Sequence, residues 1–260
     1  ARKSIVLLSN NGVLPLSDVS RRIAVIGPAS DDPTAMLANY SGVPSMIITP
    51  IDGMRARFAN TRWALGSTYT ASTASLVAAS AFPNGLRAQY FAGAEFAGIP
   101  LLERVEPRVY LNWDMQEPAI SSRVPRESFS VRWTGTLRAP FDGDYSIGAA
   151  RAECHDCTSL DEAEVWIDGE AVVGAGTLAH HPRRTQLGRI ALEAGRDYEI
   201  RIDYRQARGG VGIELVWIPP AAGLLQEARK SAEWADVVVL FAGLNADLEG
   251  EESDLAILGF

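Results

Sequence analysis

Near the end of the sequence, residues 237–242 read Val-Val-Val-Leu-Phe-Ala, and they lead through Gly-Leu-Asn at 243–245 into an acidic stretch at 247–254. A short Val-rich run that ends at a glycine is typical of a buried strand in a parallel sheet. Ligands of open α/β sheets gather at the carboxyl ends of such strands. The acidic stretch has five carboxylates within eight residues. It therefore either supplies a general acid or forms a solvated acidic turn, and the rest of the chain has to decide between the two.

The composition indicates a globular protein with room for two domains. The chain has 260 residues, of which 47% are hydrophobic and 22% charged, and its net charge is −8. Because Lys and Arg are scattered, we expect no nucleic-acid partner. No apolar run approaches the roughly 20 residues that cross a bilayer, so we also expect no membrane partner. The sequence starts at Ala1 without Met and stops soon after the acidic stretch, which leads us to expect a piece of a larger protein.

The first 83 residues have α/β character. Residues 22–28 predict a short strand that ends in a Gly-Pro turn, and residues 63–66 predict a second strand. Between them, Thr49 and Pro50 are placed to cap and begin a helix. Residues 67–83 are rich in Ser, Thr and Ala, which is the composition of a linker.

Residues 84–218 differ from both ends of the chain, because alternating segments separated by turn signals predict an antiparallel sandwich or barrel. The clearest predicted strands lie at 128–135, 143–148, 164–169, 198–204 and 212–217. Residues 219–260 return to α/β character, with an amphipathic helix at 224–234 before the Val-rich run. This order predicts an α/β domain with an all-β domain inserted into one of its loops.

Both ends of the chain resemble the second domain of glycoside hydrolase family 3. The matching segments are 4–10, 14–16, 23–28, 39–42, 49–53 and 235–239. Ser9 departs from the family, which commonly has Lys at this position. The resemblance implies an α/β sandwich domain, divided here into residues 1–83 and 219–260.

The middle of the chain resembles the protective-antigen-type (PA-14) β-sandwich that a subset of these β-glucosidases carries. The segments that carry this resemblance are 85–91, 131–135, 143–145, 165–169 and 212–217. The implied fold is therefore an α/β sandwich domain interrupted by an all-β sandwich insertion at 84–218.

The family resemblance implies a retaining β-glycosidase, most simply a β-glucosidase, in which an Asp nucleophile and a Glu acid/base flank the glycosidic bond. The family loop commonly reads Glu-x-Glu-Gly-x-Asp-Arg, which implies Glu251 as the acid/base and Glu249 as the reserve. Glu252 replaces the family glycine and Leu255 stands where Arg is expected. Three alternatives remain open: Glu252 as the acid/base, a solvated acidic turn with no catalytic role, and a calcium site built from Asp247, Glu249 and Glu251.

The nucleophile of the family lies on a (β/α)₈ barrel, which needs around 250 residues. All 260 residues are already assigned to other regions, so we expect the isolated chain to be inactive and the barrel to be its partner in the same protein. The expected substrate is a β-linked oligosaccharide cleaved at its non-reducing end. The alternatives are a β-xylosidase and a non-catalytic carbohydrate-binding module.

Within the insert, Tyr110, Trp113 and Asp114 are candidate substrate contacts, since sugar faces stack on aromatic rings. Most other aromatic residues are expected in the core. These are Tyr90, Phe91, Trp133, Tyr145, Trp166 and Trp217.

Cys154 and Cys157 are interpreted as a local disulfide or free thiols, because no second ligand pair for zinc appears. We expect no cofactor and no metal, allow a homodimer, and favour a periplasmic or secreted location over a cytoplasmic one.

Overall fold

The computed structural model describes residues 2–37, 46–70, 73–113, 122–125, 127–151, 161–178, 186–245 and 248. Within these residues, the regular structure consists of two α-helices, three sheets and four short 3₁₀ helices at Arg2–Ser4, Pro28–Ser30, Thr34–Met36 and Ala79–Ala81. None of the described helices is long and apolar enough to cross a membrane. In chain order the elements are β1 (Ile23–Ile26), α1 (Pro50–Arg57), β2 (Thr61–Ala64), β3 (Ser75–Leu76), β4 (Leu86–Ala92), β5 (Leu102–Glu106), β6 (Tyr110–Trp113), β7 (Phe129–Arg138), β8 (Gly143–Ala150), β9 (Glu162–Ile167), β10 (Glu170–Thr177), β11 (Leu187–Leu192), β12 (Asp197–Gln206), β13 (Val211–Ile218), α2 (Ala221–Trp234) and β14 (Val237–Leu240).

The smallest sheet joins the two ends of the chain. Its strand order is β14-β1-β2, and β1 is parallel to both neighbours. The strands predicted at 22–28 and 237–242 are confirmed, and the one predicted at 63–66 lies two residues earlier. The helix predicted at Pro50 is confirmed as well, and the Asp52 carboxylate accepts hydrogen bonds from the backbone N–H and the hydroxyl of Thr49 at its start.

The two helices cover opposite faces of this sheet. Ile23 and Val25 of β1 pack in one apolar cluster with Ile51 and Phe58, on the side of α1. The alternate residues of β1 pack in a second cluster with Ala228 of α2. The chain therefore runs from β1 through α1 to β2 on one side, and through α2 to β14 on the other. The direction of winding changes between β1 and β14, where ligands of open α/β sheets bind beyond the carboxyl ends.

β14 is less buried than its composition predicts. It is an edge strand of the described sheet, and Val238 and Leu240 are 47% and 66% exposed. Val237 and Val239 are half-buried on the other face. One face of β14 is therefore exposed where the sequence predicts burial, because α2 packs mainly over β1 and β2.

The inserted domain is a β-sandwich, as predicted. One sheet has the order β10-β9-β12-β7-β4-β5, and the other has the order β11-β8-β13-β3 with β6 also paired to β13. Residues of both sheets form one continuous apolar core. β3 lies in the stretch predicted as a linker, so part of that stretch extends the sandwich.

The aromatic residues predicted for the core of the insert divide between the core and its outer surface. Five of the six predicted core residues are at most 5% exposed: Tyr90, Phe91, Trp133, Tyr145 and Trp217. Trp166 is the exception, because it is half-buried and stacks under the guanidinium of Arg201 at 4.4 Å. Trp166 therefore lies on the outer face of the six-stranded sheet and contributes less to the core than the sequence predicts.

Candidate functional site

A polar pocket with a cavity volume of about 30 Å³ lies where the carboxyl end of the parallel sheet meets the β3–β13 edge of the insert. Side chains from both regions therefore meet around it. Its lining residues are Pro28, Asp31, Asp32, Thr34, Trp63, Leu65, Tyr69, Ala74, Ser75, Leu76, Glu214 and Asn245. The acidic stretch leaves β14 at this same carboxyl end of the parallel sheet.

Gly27 brings the ends of β1 and β14 into close contact. Its φ is +118°, a conformation that favours glycine, and a Cβ at this position would lie 2.0 Å from the carbonyl oxygen of Phe241. The backbone N–H of Phe241 donates to the carbonyl of Ile26 at 2.8 Å. Because no side chain separates the two strand ends, the segments that follow them begin side by side.

Asp31 joins this strand end to the insert. Its carboxylate accepts a hydrogen bond from Arg108 Nη2 at 2.7 Å, and its carbonyl accepts one from Nη1 at 3.3 Å. Both side chains of this ion pair are largely buried, with 13% of the Arg108 side chain and 7% of the Asp31 side chain exposed. Burial raises the pKa of Asp31, and the charge of Arg108 offsets part of that rise.

Asp32 joins the same strand end to the beginning of the acidic stretch. Its Oδ1 accepts from the backbone N–H of Thr34 at 2.8 Å. Its Oδ2 accepts from the Tyr69 hydroxyl at 2.7 Å and from Asn245 Nδ2 at 3.1 Å. The Thr34 bond orients the carboxylate, so the second oxygen faces the two side chains that bind it.

Asn245 and Leu248 are the described residues that flank the first part of the acidic stretch. Both are buried, with 8% and 7% of their surface exposed. The backbone N–H of Leu248 donates to the carbonyl of Asn245 at 3.0 Å, which closes a turn between them. The acidic stretch therefore begins from a fixed turn, one residue before Glu249 and three residues before Glu251.

The predicted site residues are only partly described. Glu249, Glu251, Glu252, Asp247 and Asp114 lie outside the described residues, so their roles stay predictions. The same holds for the cysteines Cys154 and Cys157.

Two predicted substrate contacts lie on β6. Tyr110 is half-buried. In the pairing of β6 with β13 it lies opposite Glu214, which lines the pocket. Trp113 pairs with Val211 farther along the same strand. The structure therefore brings Tyr110 to the strand beside the pocket, while its contact with substrate stays a prediction.

Several pocket residues have no predicted role. Asp31 and Asp32 are conspicuous in the sequence only as adjacent aspartates. Arg108 and Tyr69 carry no local signal, and Asn245 is 213 residues from Asp32. The only usable signal is position, because polar residues just beyond the carboxyl end of a parallel strand are expected at a site.

The carboxylates around the pocket are engaged in hydrogen bonds and ion pairs rather than grouped for metal binding. Among the described residues, no three His, Cys, Asp or Glu side chains are placed to hold a metal ion. The arrangement is suited to fixing loop and insert at one strand end, and it leaves a polar cavity between them.

Comparison with known proteins gives matches over both regions. The PA14 domain matches residues 83–224. A xylan 1,4-β-xylosidase of Xylanibacter ruminicola is 25% identical over 268 residues, which cover 100% of this chain and 30% of that protein. β-D-Xylosidase 3 of Arabidopsis thaliana is 43% identical over 63 residues, covering 24% of this chain and 8% of that protein. The chain thus spans less than a third of these relatives.

Among solved structures, the β-glucosidase of Kluyveromyces marxianus matches with a TM-score of 0.55 and 20% sequence identity. The match covers 92% of this chain and 28% of the β-glucosidase, and at this identity it shows similarity of fold. Together with the PA14 match, the comparisons agree with the resemblances found in the sequence. The chain belongs to the PA14 domain family, and over its whole length it is similar to part of a xylan 1,4-β-xylosidase.

Proposed function

We propose that this chain is part of a retaining exo-β-glycosidase and supplies the loop that carries its general acid/base. The observation that supports this proposal is the origin of the acidic stretch, which leaves β14 at the point where the winding of the sheet reverses. In this proposal the parallel sheet belongs to an α/β sandwich domain formed by residues 1–83 and 219–260. Residues 84–218 are the insert.

The proposed reaction needs two carboxyl groups about 5–5.5 Å apart. In the first step the Glu251 carboxyl group donates its proton to the glycosidic oxygen as the bond to the anomeric carbon breaks. The Asp nucleophile of a barrel domain forms a new bond to that carbon. In the second step the Glu251 carboxylate takes a proton from water, and the water oxygen displaces the Asp.

The acid/base carboxyl group must be protonated before the first step. A general acid that works near neutral pH needs a raised pKa, and a neighbouring carboxylate is one cause of such a rise. Residues 247–254 include five carboxyl groups. Glu251 is the proposed acid/base and Glu249 the reserve, because the family loop aligns with Glu251.

The cleaved sugar is proposed to be a terminal β-glucose or β-xylose. The structural neighbour with the TM-score of 0.55 is a β-glucosidase, whereas the two relatives described above are named xylosidases. Glucose differs from xylose by a hydroxymethyl group at C5. Comparing kcat/KM for the aryl β-glucoside and the aryl β-xyloside in the whole protein therefore assigns the sugar.

The insert is proposed to shape the part of the site that binds beyond the cleaved sugar. β6 supports this role, because Tyr110 pairs there with Glu214 beside the pocket. Trp113 and Asp114 follow Tyr110 in the sequence and are proposed as further contacts.

The test is a set of three variants in the whole protein: Glu251→Gln, Glu249→Gln and Glu252→Gln. We expect Glu251→Gln to lower turnover of an unactivated oligosaccharide by about 10²–10⁴-fold, the usual contribution of general acid–base catalysis. Azide, which needs no base, should restore turnover of an activated aryl glycoside by forming a glycosyl azide. Glu252→Gln serves as the matched control and should retain most activity.

The three variants also decide between the candidates. Azide rescue in Glu249→Gln but not in Glu251→Gln would move the acid/base to Glu249. Wild-type turnover in all three variants would refute the catalytic role of the loop and favour a non-catalytic carbohydrate-binding module.

A further inference from the structure

The beginning of the acidic stretch is held by one carboxylate that the reaction itself does not require. Asp32 Oδ2 accepts the Asn245 Nδ2 hydrogen bond at 3.1 Å, and its other oxygen is fixed by the backbone N–H of Thr34. Asn245 in turn closes the turn to Leu248. Two hydrogen bonds in series therefore connect Asp32, in the segment that follows β1, to Leu248, the residue that precedes Glu249.

The burial of the contacts makes this connection rigid. Asn245 and Leu248 are both buried, and Tyr69 donates a second hydrogen bond to the same Asp32 oxygen. Hydrogen bonds to an ionised carboxylate are stronger than those between neutral groups. The position of Asn245 is therefore set by Asp32 rather than by the exposed face of β14 that precedes it.

We propose that Asp32 is a positioning residue for the acid/base carboxyl group. This inference rests on the proposed function and deepens it. Retaining catalysis requires a defined separation of the two carboxyl groups, and a displacement of about 1 Å can lower the rate by about 10²-fold. Asp32 sets that separation by fixing the turn from which the acidic stretch starts.

The neighbouring ion pair extends this role to the insert. Asp31 holds Arg108, which follows β5 in the insert, while Asp32 holds Asn245. Because the two aspartates are adjacent, the insert and the acidic stretch are attached at the same carboxyl end of the sheet. The proposed substrate-binding surface and the acid/base group are thereby held in a fixed position relative to each other.

The experiment measures kcat/KM of the whole protein with an activated aryl glycoside and with an unactivated oligosaccharide. The variants are Asp32→Ala, Asn245→Ala and the double variant. We expect kcat/KM of each single variant to fall by about 10²-fold with the unactivated oligosaccharide and by less than about 10-fold with the activated aryl glycoside. Since both changes remove the same hydrogen bond, the double variant should resemble either single variant rather than show the product of the two losses.

Asp236→Ala is the matched control. Asp236 precedes β14 at its opposite end and accepts hydrogen bonds from Arg22, so it belongs to the same sheet but not to the turn. Its removal should leave the ratio of the two kcat/KM values unchanged. If Asp32→Ala does not fold, Asn245→Ala supplies the same test without touching the carboxylate.

The outcomes separate this inference from the proposed function. A larger loss of kcat/KM on the unactivated oligosaccharide than on the activated aryl glycoside is called discrimination here. Discrimination in Glu251→Gln, Asp32→Ala and Asn245→Ala supports both the proposed function and the positioning role of Asp32. Discrimination in Glu251→Gln alone, with equal losses on both substrates in the Asp32 and Asn245 variants, overturns the positioning role and leaves the proposed function standing. If neither Glu251→Gln nor Glu249→Gln loses more kcat/KM on the unactivated oligosaccharide than on the activated aryl glycoside, the proposed function is overturned and this inference with it.

Discussion

The insert and the parallel sheet differ in how completely they bury their apolar residues. Both sheets of the insert share one continuous core, whereas β1 is flanked by two separate small clusters. Outside the insert, the exposed large apolar side chains among the described residues are Ile5, Val6, Leu7, Leu8, Val13, Leu14, Val19, Met36, Met46, Ile48, Leu225, Val238, Leu240 and Leu244. In the insert, the exposed large apolar side chains among the described residues are Ile99 and Val105.

The buried charges follow the same division. In the insert, Glu106 lies within the core, where it accepts hydrogen bonds from Tyr90, Trp133 and Arg104. Its three donors all belong to the insert, so this polar group stabilises one region alone. The pocket carboxylates Asp31 and Asp32 instead bind partners from different segments. The comparison indicates that the insert is stabilised from within, while the polar groups of the parallel sheet serve the junction and the loop.

The strongest test of this contrast is Trp133→Ala. Trp133 is fully buried, and its indole N–H donates to Glu106 at 2.7 Å. Its removal therefore leaves a cavity and takes one hydrogen bond away from the buried Glu106 carboxylate. We expect a loss of about 4 kcal/mol in the free energy of unfolding, measured by urea denaturation of the chain. Trp166→Ala is the matched control on the outer face of the same sheet, and we expect it to cost about 1 kcal/mol or less. Equal losses in the two variants would contradict the assignment of faces.

Arg108→Met should have the next largest effect, because it leaves the buried carboxylate of Asp31 without its cation. We expect a loss of about 3 kcal/mol at pH 7. The pKa of Asp31 is already raised by burial and rises further without Arg108, so the carboxyl group takes up a proton as the pH falls. The variant should therefore lose less stability at pH 4.5 than at pH 7.

The double variant Arg108→Met, Asp31→Leu checks the cause of that loss. Replacing both members of a buried pair by apolar residues is often close to neutral. We therefore expect the double variant to recover most of the stability at pH 7. A loss as large as that of Arg108→Met alone would show that the cost does not come from the uncompensated carboxylate.

A smaller and pH-dependent effect is expected for Asp236→Asn. Hydrogen bonds from Arg22 lower the pKa of Asp236 from 3.8 to about 2. Because the pKa is lower in the folded state, the pair stabilises the fold above about pH 4 and loses this contribution as the pH falls through 2. The pair is exposed, so the effect should be small and should shrink in high salt. Thermal unfolding at pH 7 and pH 2 should show a difference between wild type and variant only at pH 7.

The smallest effect is expected for Leu240→Ser on the exposed face of β14. Leu240 is 66% exposed, so its substitution removes little packing. We expect a change within about 0.5 kcal/mol in urea unfolding of the chain. Ile23→Ser, on the strand paired with β14, is the matched control, because Ile23 is fully buried and its polar replacement should destabilise strongly. A loss above about 1 kcal/mol for Leu240→Ser would contradict the exposure of this face.

Much of the fold is predictable from local sequence. The Val-rich run of β14, the Gly27 turn after β1 and the Thr49 cap of α1 are all local signals, and the structure contains the elements they predict. The alternating strands β7, β12 and β13 are equally readable. β10 and β11 contain glycines that interrupt their alternation, and the β3 pairing depends on a distant strand, so these elements carry weaker local signals.

The site is less predictable than the fold because its contacts are not local. Glu251 and Glu249 follow from a loop pattern, which needs only neighbouring residues. Asp32 meets Asn245 across 213 residues, and Arg108 meets Asp31 across 77. The first pair depends on how the two ends of the chain meet beside one sheet, and the second depends on how the insert packs against that sheet. Single residue types do not encode either arrangement. The burial of one face of β14 is also set by where α2 packs, which the strand's own sequence does not specify.

The most direct test of the proposed role of the acidic loop is the dependence of kcat/KM on the pKa of the leaving group. In the whole protein carrying Glu251→Gln, a series of aryl β-glycosides would be compared with the wild type. Without the proton donor, the rate should fall steeply as the leaving-group pKa rises, while glycosides with the most acidic leaving groups keep near-normal rates. The wild-type slope in both Glu251→Gln and Glu249→Gln would contradict the assignment of the general acid to this loop.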